Sequence, residues 1–265
     1  MKNIYKKMEI QIKKAVKAGN SSAVILPRAW LNQEVRIELV KKTPEMILYD
    51  VLKIIKKYID IKDIIGIYLV GSYARGEEEQ DSDIDILVIT SDVDREIIAE
   101  GKYNLLLMSS ELLKQKLRQD LFPIGQMIRE AKPILNSFYL DSIEAKITKE
   151  NIKWYLDTTE SKLKLIKKII EKAKNQKYLS DKVAYTLILR IRTLRIIKKI
   201  AENKNYSKKE FEKIIKDASG GTNAYERYLA VKNNLKDAKA ISIEEAKKLY
   251  EYSKNQLAEV KKTLR

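Results

Sequence analysis

Gly71-Ser72-Tyr73-Ala74-Arg75-Gly76 and, after an acidic loop, Asp81-Ser82-Asp83-Ile84-Asp85-Ile86-Leu87-Val88 form the most informative stretch of the chain. Just before it, Ile64 to Val70 is a nearly continuous apolar run whose length and flanks predict a buried strand ending at Gly71. A glycine there lets backbone approach a phosphate, and Ser72 adds a hydroxyl and an N–H at the start of a helical turn, so the pair predicts an anion cradle. Asp83 and Asp85 lie two apart at the entry of a second buried strand, Ile84 to Thr90, which aims both carboxylates from one face toward the cradle. Two carboxylates so close repel each other, and a bound divalent cation removes the conflict. Oxygen donors of this kind suit Mg²⁺ or Mn²⁺ together with the oxygens of a nucleoside triphosphate. The chemistry that follows is in-line attack on the α-phosphorus.

Working outward, Thr43 predicts a helix cap with Pro44 at the first position, and Met46, Val51, Ile54, Ile55 and Tyr58 an apolar stripe. Downstream, Tyr103 to Met108 predicts a third strand, Ser110 to Gln119 and Gly125 to Glu130 helices, and Ile134 to Tyr139 a last strand. From about Lys149 the pattern becomes long helices: Asn151 to Gln176, Asp181 to Asn203, a shorter one after Ser207, Asn223 to Leu235, and Ile243 to Leu264. Ser207 and Glu210 predict a capping box. The first 42 residues read as β structure, with Met8 to Ala15 and Glu34 to Val40 alternating, a turn at Gly19-Asn20, a short strand from Ser22 to Leu26, and a helical turn opened by Pro27. The expected fold class is an α/β domain with a mixed sheet, followed by an α-helical bundle and preceded by a small β segment. The expected domains are residues 1–42, 43–148 and 149–265.

The chain has 265 residues, 53 Lys plus Arg against 37 Asp plus Glu, and neither histidine nor cysteine. Histidine- or cysteine-based nucleophiles, Cys/His zinc sites, thiol redox couples and disulfides are thereby excluded. Residues 1–50 carry net +5, residues 51–150 net −4 and residues 151–265 net +15, so the helical third is the basic part. No apolar run approaches the roughly 18 residues of a membrane span, and the N-terminus lacks a signal-peptide core, so no membrane partner and a cytoplasmic location are expected.

Residues 45 to 140 resemble the DNA polymerase β-like nucleotidyltransferase superfamily, through Gly-Ser-x-Ala-Arg-Gly followed by Ser-Asp-x-Asp, in the form found in minimal and kanamycin-nucleotidyltransferase-like proteins. The resemblance implies that Gly71 and Ser72 hold the β- and γ-phosphates and that Asp83 and Asp85 bind the metal. Arg75 either touches phosphate or braces the loop through a carboxylate, the brace being favoured. Active members bring a third carboxylate from a following strand, and the best candidate at that position is Asn104, with Glu100, Asp92 and Asp94 nearby. An amide can ligate weakly but cannot accept a proton as a carboxylate does.

In the helical third, Tyr225, Tyr228 and Lys232 share one helix face, while Arg190, Arg192 and Arg195 stud another helix. A basic, tyrosine-bearing groove could hold the triphosphate or the acceptor, and packing of the tyrosines in the bundle core is the competing reading. The arrangement resembles helical domains of kanamycin-nucleotidyltransferase-like and HEPN-related proteins, but HEPN ribonuclease chemistry needs the histidine this chain lacks. The stretch VKAGNSSAVILPRAWLNQEVRIELV resembles the AbrB/SpoVT/MazE-like swapped-hairpin DNA-binding domain. That resemblance implies a homodimer, either with phosphate contacts from Lys13, Lys14, Lys17 and Arg28 where the DNA-binding activity carries over, or as a purely structural dimerisation barrel. Two functions are therefore expected to compete. One is a Mg²⁺-dependent enzyme moving a nucleoside monophosphate, AMP foremost, from ATP or another NTP to a hydroxyl of a protein, RNA or small molecule, with pyrophosphate release. The other is a DNA-binding, antitoxin-like regulator with a weak or inactive nucleotidyltransferase domain.

Overall fold

The computed structural model describes residues 10–13, 15–38, 42–79, 81–173, 175–236, 238 and 240–263. They divide into two compact units, residues 1–47 and 48–265. The α/β and helical parts thus share one unit.

In the first unit, β1 (Val16–Ala18) and β2 (Ser21–Ala23) form an antiparallel hairpin around Gly19, whose φ of +60° is the left-handed turn conformation that glycine allows. Pro27 opens a single 3-10 turn at Arg28–Trp30. The longer expected strands are a correction. Of Met8 to Ala15, residues 10–13 and 15 make no ladder, and of Glu34 to Val40, residues 34–38 make none; the other positions, Lys14 among them, lie outside the described residues. Alternation marks a strand only where a neighbouring strand supplies hydrogen bonds, and within the described chain none does so here.

α1 (Pro44–Ile55) follows, with the Met46 N–H donating to Thr43 Oγ1 at 3.4 Å. Val51, Ile54 and Ile55 form its buried stripe. Tyr58 lies past the helix end and is 38% exposed, so it does not extend that stripe. The sheet comprises β3 (Ile64–Val70), β4 (Ile84–Thr90), β5 (Arg95–Glu100), β6 (Tyr103–Ser109) and β7 (Lys132–Leu135) in the order β5-β6-β4-β3-β7. Only the β4–β6 pair is parallel, which makes the sheet mixed as expected. β5 went unread in the sequence because an edge strand carrying Arg95, Glu96 and Glu100 lacks the apolar signature of its buried neighbours. The last strand also lies earlier than expected. Pro133 is tolerated on the edge strand β7, and Asn136, at φ +62°, turns the chain into α5 (Ser137–Asp141), whose Tyr139 N–H donates to the Asn136 side chain.

The two-residue period assigns the faces of the sheet. Ile84, Ile86 and Val88 of β4 and Tyr103, Leu105 and Leu107 of β6 are buried on one side, where Tyr103 Oη donates to Asp50 of α1 at 2.7 Å. Leu87, Ile89 and Met108 are buried on the opposite side, together with Tyr68 and Val70 of β3. There they join α3 (Ser110–Gln119), α4 (Ile124–Glu130) and the helical bundle in one continuous core.

The bundle comprises α6 (Lys149–Lys172), α7 (Asp181–Ala201), α8 (Lys208–Ser219), α9 (Asn223–Lys232) and α10 (Ile243–Thr263). A two-residue pair, β8 (Tyr178–Leu179) with β9 (Ile241–Ser242), ties the ends of α6 and α10. Thr148 and Asn151 form a reciprocal capping box at α6. At α8 half of the expected box is present: Ser207 Oγ accepts from the Glu210 N–H, but the Glu210 carboxylate pairs with Arg195 and Lys199 instead of reaching back. No helix among the described residues is long and apolar enough to cross a membrane.

Candidate functional site

β3 ends at Val70, and the chain turns directly into the short helix α2 (Gly71–Arg75), with Gly71 at φ +70°. This glycine is required twice over. A left-handed φ disfavours any side chain, and a Cβ at this position would overlap Asp85 Oδ2 and stand 3.2 Å from Asp85 Cβ and Cγ. The cradle backbone and the Asp85 carboxylate are therefore in direct apposition. This follows from the antiparallel register, which places Val70 opposite Asp85.

Asp85 lies on the same sheet face as Leu87 and Ile89, toward the helical bundle, and Asp83, one residue before β4, is close enough for its charge to act on Asp85. Asn104 stands beside Asp85 in the parallel β4–β6 register and its side chain hydrogen-bonds the carboxylate. Burial pushes the Asp85 carboxyl above its ordinary value, the Asp83 and Glu130 charges add to the shift, and Asn104 and Arg75 oppose it. The other acidic candidates are engaged elsewhere. Glu100 pairs with Lys57 at 2.5 Å, Asp94 accepts from the Ser109 N–H at 2.6 Å, and Asp92 accepts from Ser91 Oγ at 2.9 Å. Among the described residues no group of three acidic side chains could hold a metal ion. The donor set is two carboxylates and one amide, hard oxygens that fit Mg²⁺ once triphosphate oxygens complete the shell.

A chain of hydrogen bonds, which contains the expected Arg75 brace, runs from the cradle into the bundle. The Gly71 N–H donates to Glu130 Oε1 at 2.8 Å, and Glu130 Oε2 accepts from Arg75 Nη1 at 2.6 Å. Arg75 Nε donates to Glu77 Oε2 at 2.8 Å, while Glu77 Oε1 accepts from Ser207 Oγ at 3.0 Å and the Lys208 N–H at 2.8 Å. Glu77 thus caps the N-terminus of α8 from outside, where a carboxylate meets unpaired N–H groups and the positive end of the helix dipole. Arg75 is a brace in this arrangement, with both of its acidic partners largely buried. Nothing in sequence spacing links Arg75 to Glu130, 55 positions on; only Glu77, adjacent to the motif, was available as a signal.

Arg75 and Arg192 both lie over the Tyr206 ring, with guanidinium carbons 6.0 and 5.7 Å from its centroid. Tyr225 and Tyr228 are buried, and Tyr228 stacks on Tyr185 with ring centroids 5.6 Å apart. Both tyrosines therefore pack within the bundle. Lys232, on the same helix, feels the charge of the loop that follows the motif: burial lowers its pKa, Arg192 and Lys208 push the same way, and Glu79 opposes them. Lys208 pairs with Glu79 at 2.5 Å. Arg192, Lys208 and Lys232 accordingly form a cationic wall beside the motif loop. Arg190 instead donates to Thr158 Oγ1 at 3.3 Å, and Arg195 pairs with Glu210. In the first unit, Lys13, Lys17 and Arg28 are exposed.

Among solved structures, the chain is similar to a nucleotidyltransferase-like protein from Exiguobacterium sibiricum, with 13% identity over 82% of this chain and 77% of that one and a TM-score of 0.40. It is also similar to the spectinomycin adenyltransferase AAD(9) from Enterococcus faecialis, crystallised with ATP and spectinomycin, with 15% identity over 79% of this chain and 99% of that one and a TM-score of 0.42. No curated protein matches the chain. Residues 50–142, which contain the Gly71 cradle, Asp83, Asp85, Asn104 and the Glu130 end of the brace, match the family model described as Polymerase beta, Nucleotidyltransferase.

Proposed function

We propose that the chain transfers a nucleoside monophosphate, AMP foremost, from ATP or another NTP to an acceptor hydroxyl. The observation that carries this reading is the apposition of Asp85 to the Gly71 backbone, with the Asp83 charge acting on Asp85. In the proposed step the acceptor oxygen bonds to the α-phosphorus, the bond from that phosphorus to the α–β bridging oxygen breaks, and pyrophosphate leaves with the electron pair. Asp83 and Asp85 would hold Mg²⁺ or Mn²⁺, which neutralises charge on the phosphate oxygens when bound. Ser72 offers its hydroxyl and N–H to the phosphate tail. The Gly71 N–H is already bonded to Glu130, so Gly71 contributes space and backbone shape. Lys232, with Arg192 and Lys208, supplies positive charge to the tail, and Tyr225 and Tyr228 support the wall from within.

Asn104 orients Asp85 but cannot take the acceptor proton, so the base for that proton comes from the acceptor complex or solvent. The expected test is titration of the full chain with Mg²⁺ and ATP. Wild type binds and the Asp83→Ala/Asp85→Ala variant does not; equal affinity would show that these residues have been misassigned. Incubation with each α-labelled NTP in cell extract then identifies the acceptor.

The Asn104 amide favours a second reading, a DNA-binding antitoxin-like regulator with a weak or inactive nucleotide site. Its N-terminal part, residues 1–42, would be an AbrB/SpoVT-like dimerising and DNA-binding domain ahead of domains at 43–148 and 149–265. Ile10, Ile12, Ile25, Leu31 and Ile37 are all exposed there, and covering them in a homodimer would bury that apolar surface. Salt-dependent binding of duplex DNA that is lost on deleting residues 1–42, with no label transfer, supports this alternative.

A further inference from the structure

Away from the nucleotide site, the end of α6, β8 and the start of α7 enclose a groove of about 560 Å³. Its floor is aliphatic, formed by Ile166, Ile169 and Val183, and Leu165 and Tyr178 stand 51% and 56% exposed at its edges. Lys162, Lys172 and Lys182 make the rim. Neighbouring Lys164 and Lys167 are matched by Glu160 and Glu171 along α6, whereas none of the three rim lysines makes an ion pair among the described residues. Apolar floor and unmatched positive rim thus occur together at this groove.

We propose that this groove docks an acidic amphipathic helix of a partner polypeptide. Lys162 and Lys172 stand about 15 Å apart along α6, so a helix of about three turns spans the rim. Its apolar side chains, at i, i+3 or i+4 and i+7, cover the floor and Leu165, and flanking carboxylates meet the lysines. A second copy of this helical part fits poorly, because it would bring a net +15 segment against a lysine rim. Single-stranded nucleic acid satisfies the lysines, but it stacks on successive aromatic platforms, and among the described residues Tyr178 is the single aromatic one lining the groove.

The test uses the full chain and a fluorescein-labelled helical peptide of about three to four turns, with leucines on one face flanked by glutamates. A peptide with lysines in place of the glutamates and a labelled oligo(dT) are the comparisons. The acidic peptide is expected to bind at least about tenfold more tightly than either comparison. The Lys162→Glu/Lys172→Glu/Lys182→Glu variant should lose at least about tenfold with an unchanged melting curve, and the exposed Leu165→Ser change about threefold. No binding of the acidic peptide, equal binding of the lysine peptide, tighter binding of oligo(dT), or insensitivity to the triple charge reversal each overturns the proposal. ATP binding is unaffected in all cases, since the groove shares no residue with the nucleotide site.

Discussion

Gly71→Ala, compared with Gly76→Ala, separates two costs that coincide at the cradle. Both glycines have a left-handed φ, +70° and +68°, so an alanine at either pays the backbone penalty of about 1–2 kcal/mol. At Gly76 a Cβ meets nothing within 4 Å, so the penalty ends there. At Gly71 the Cβ overlaps Asp85 Oδ2, and Asp85 cannot withdraw freely because it is held in β4 beside Asn104. Overpacking of a fixed site adds about 1–3 kcal/mol. Gly71→Ala is thus expected to lose about 2–5 kcal/mol in urea unfolding followed by circular dichroism, and Gly76→Ala only about 1–2. The second readout is Mg²⁺-dependent ATP binding, which Gly76→Ala should retain and Gly71→Ala should lose through displacement of Asp85. Equal destabilisation by the two changes, or undiminished ATP binding by folded Gly71→Ala, refutes the apposition as the organising feature of the site.

Two further changes test the electrostatics. Burial, with the Asp83 and Glu130 charges, raises the Asp85 carboxyl, so Asp85 favours the folded state below its ordinary value of 3.8 and that margin is lost as pH rises through the folded value. At pH 7 Asp85→Asn should therefore stabilise the ligand-free chain by about 0.5–2 kcal/mol while abolishing Mg²⁺-dependent nucleotide binding; a less stable variant contradicts this. Glu77 has the opposite sign: burial raises its carboxyl, but hydrogen bonds from Arg75, the Lys208 N–H and Ser207 hold it below its ordinary 4.5. Its contribution is present above 4.5 and lost as pH falls through the lowered value. Glu77→Gln should then cost about 1–3 kcal/mol at pH 7 and much less near pH 3, and a pH-independent difference in unfolding free energy would count against the clamp.

The central strands were legible because burial on both faces writes itself as an apolar run: β3 and β4 fall at Ile64–Val70 and Ile84–Thr90 as read. Helix α3 also falls at Ser110–Gln119 as read, and the structure adds Ser109 as its cap. Edge strand β5 and the pair β8–β9 were not, because short or one-sided strands take their identity from a partner distant in sequence. At the site, the motif spacing pointed to Asp83, Asp85 and the cradle, and the register supplied the reason Asn104 matters. The Glu130 and Ser207 contacts depend on how α4 and α8 pack, which local periodicity does not encode. The tyrosines at 225 and 228 show the same limit: the i, i+3 spacing was visible, but which neighbour the rings meet was not.

One core runs without a break from Tyr68 and Leu87 in the sheet to Leu187, Ile191 and Leu249 in the bundle. The motif-bearing half is therefore not a portable cassette. Cutting the chain between α5 and α6 would strip aliphatic side chains bare on both fragments, and recombination that exchanged one half for that of a distant relative would have to replace the matching surface as well.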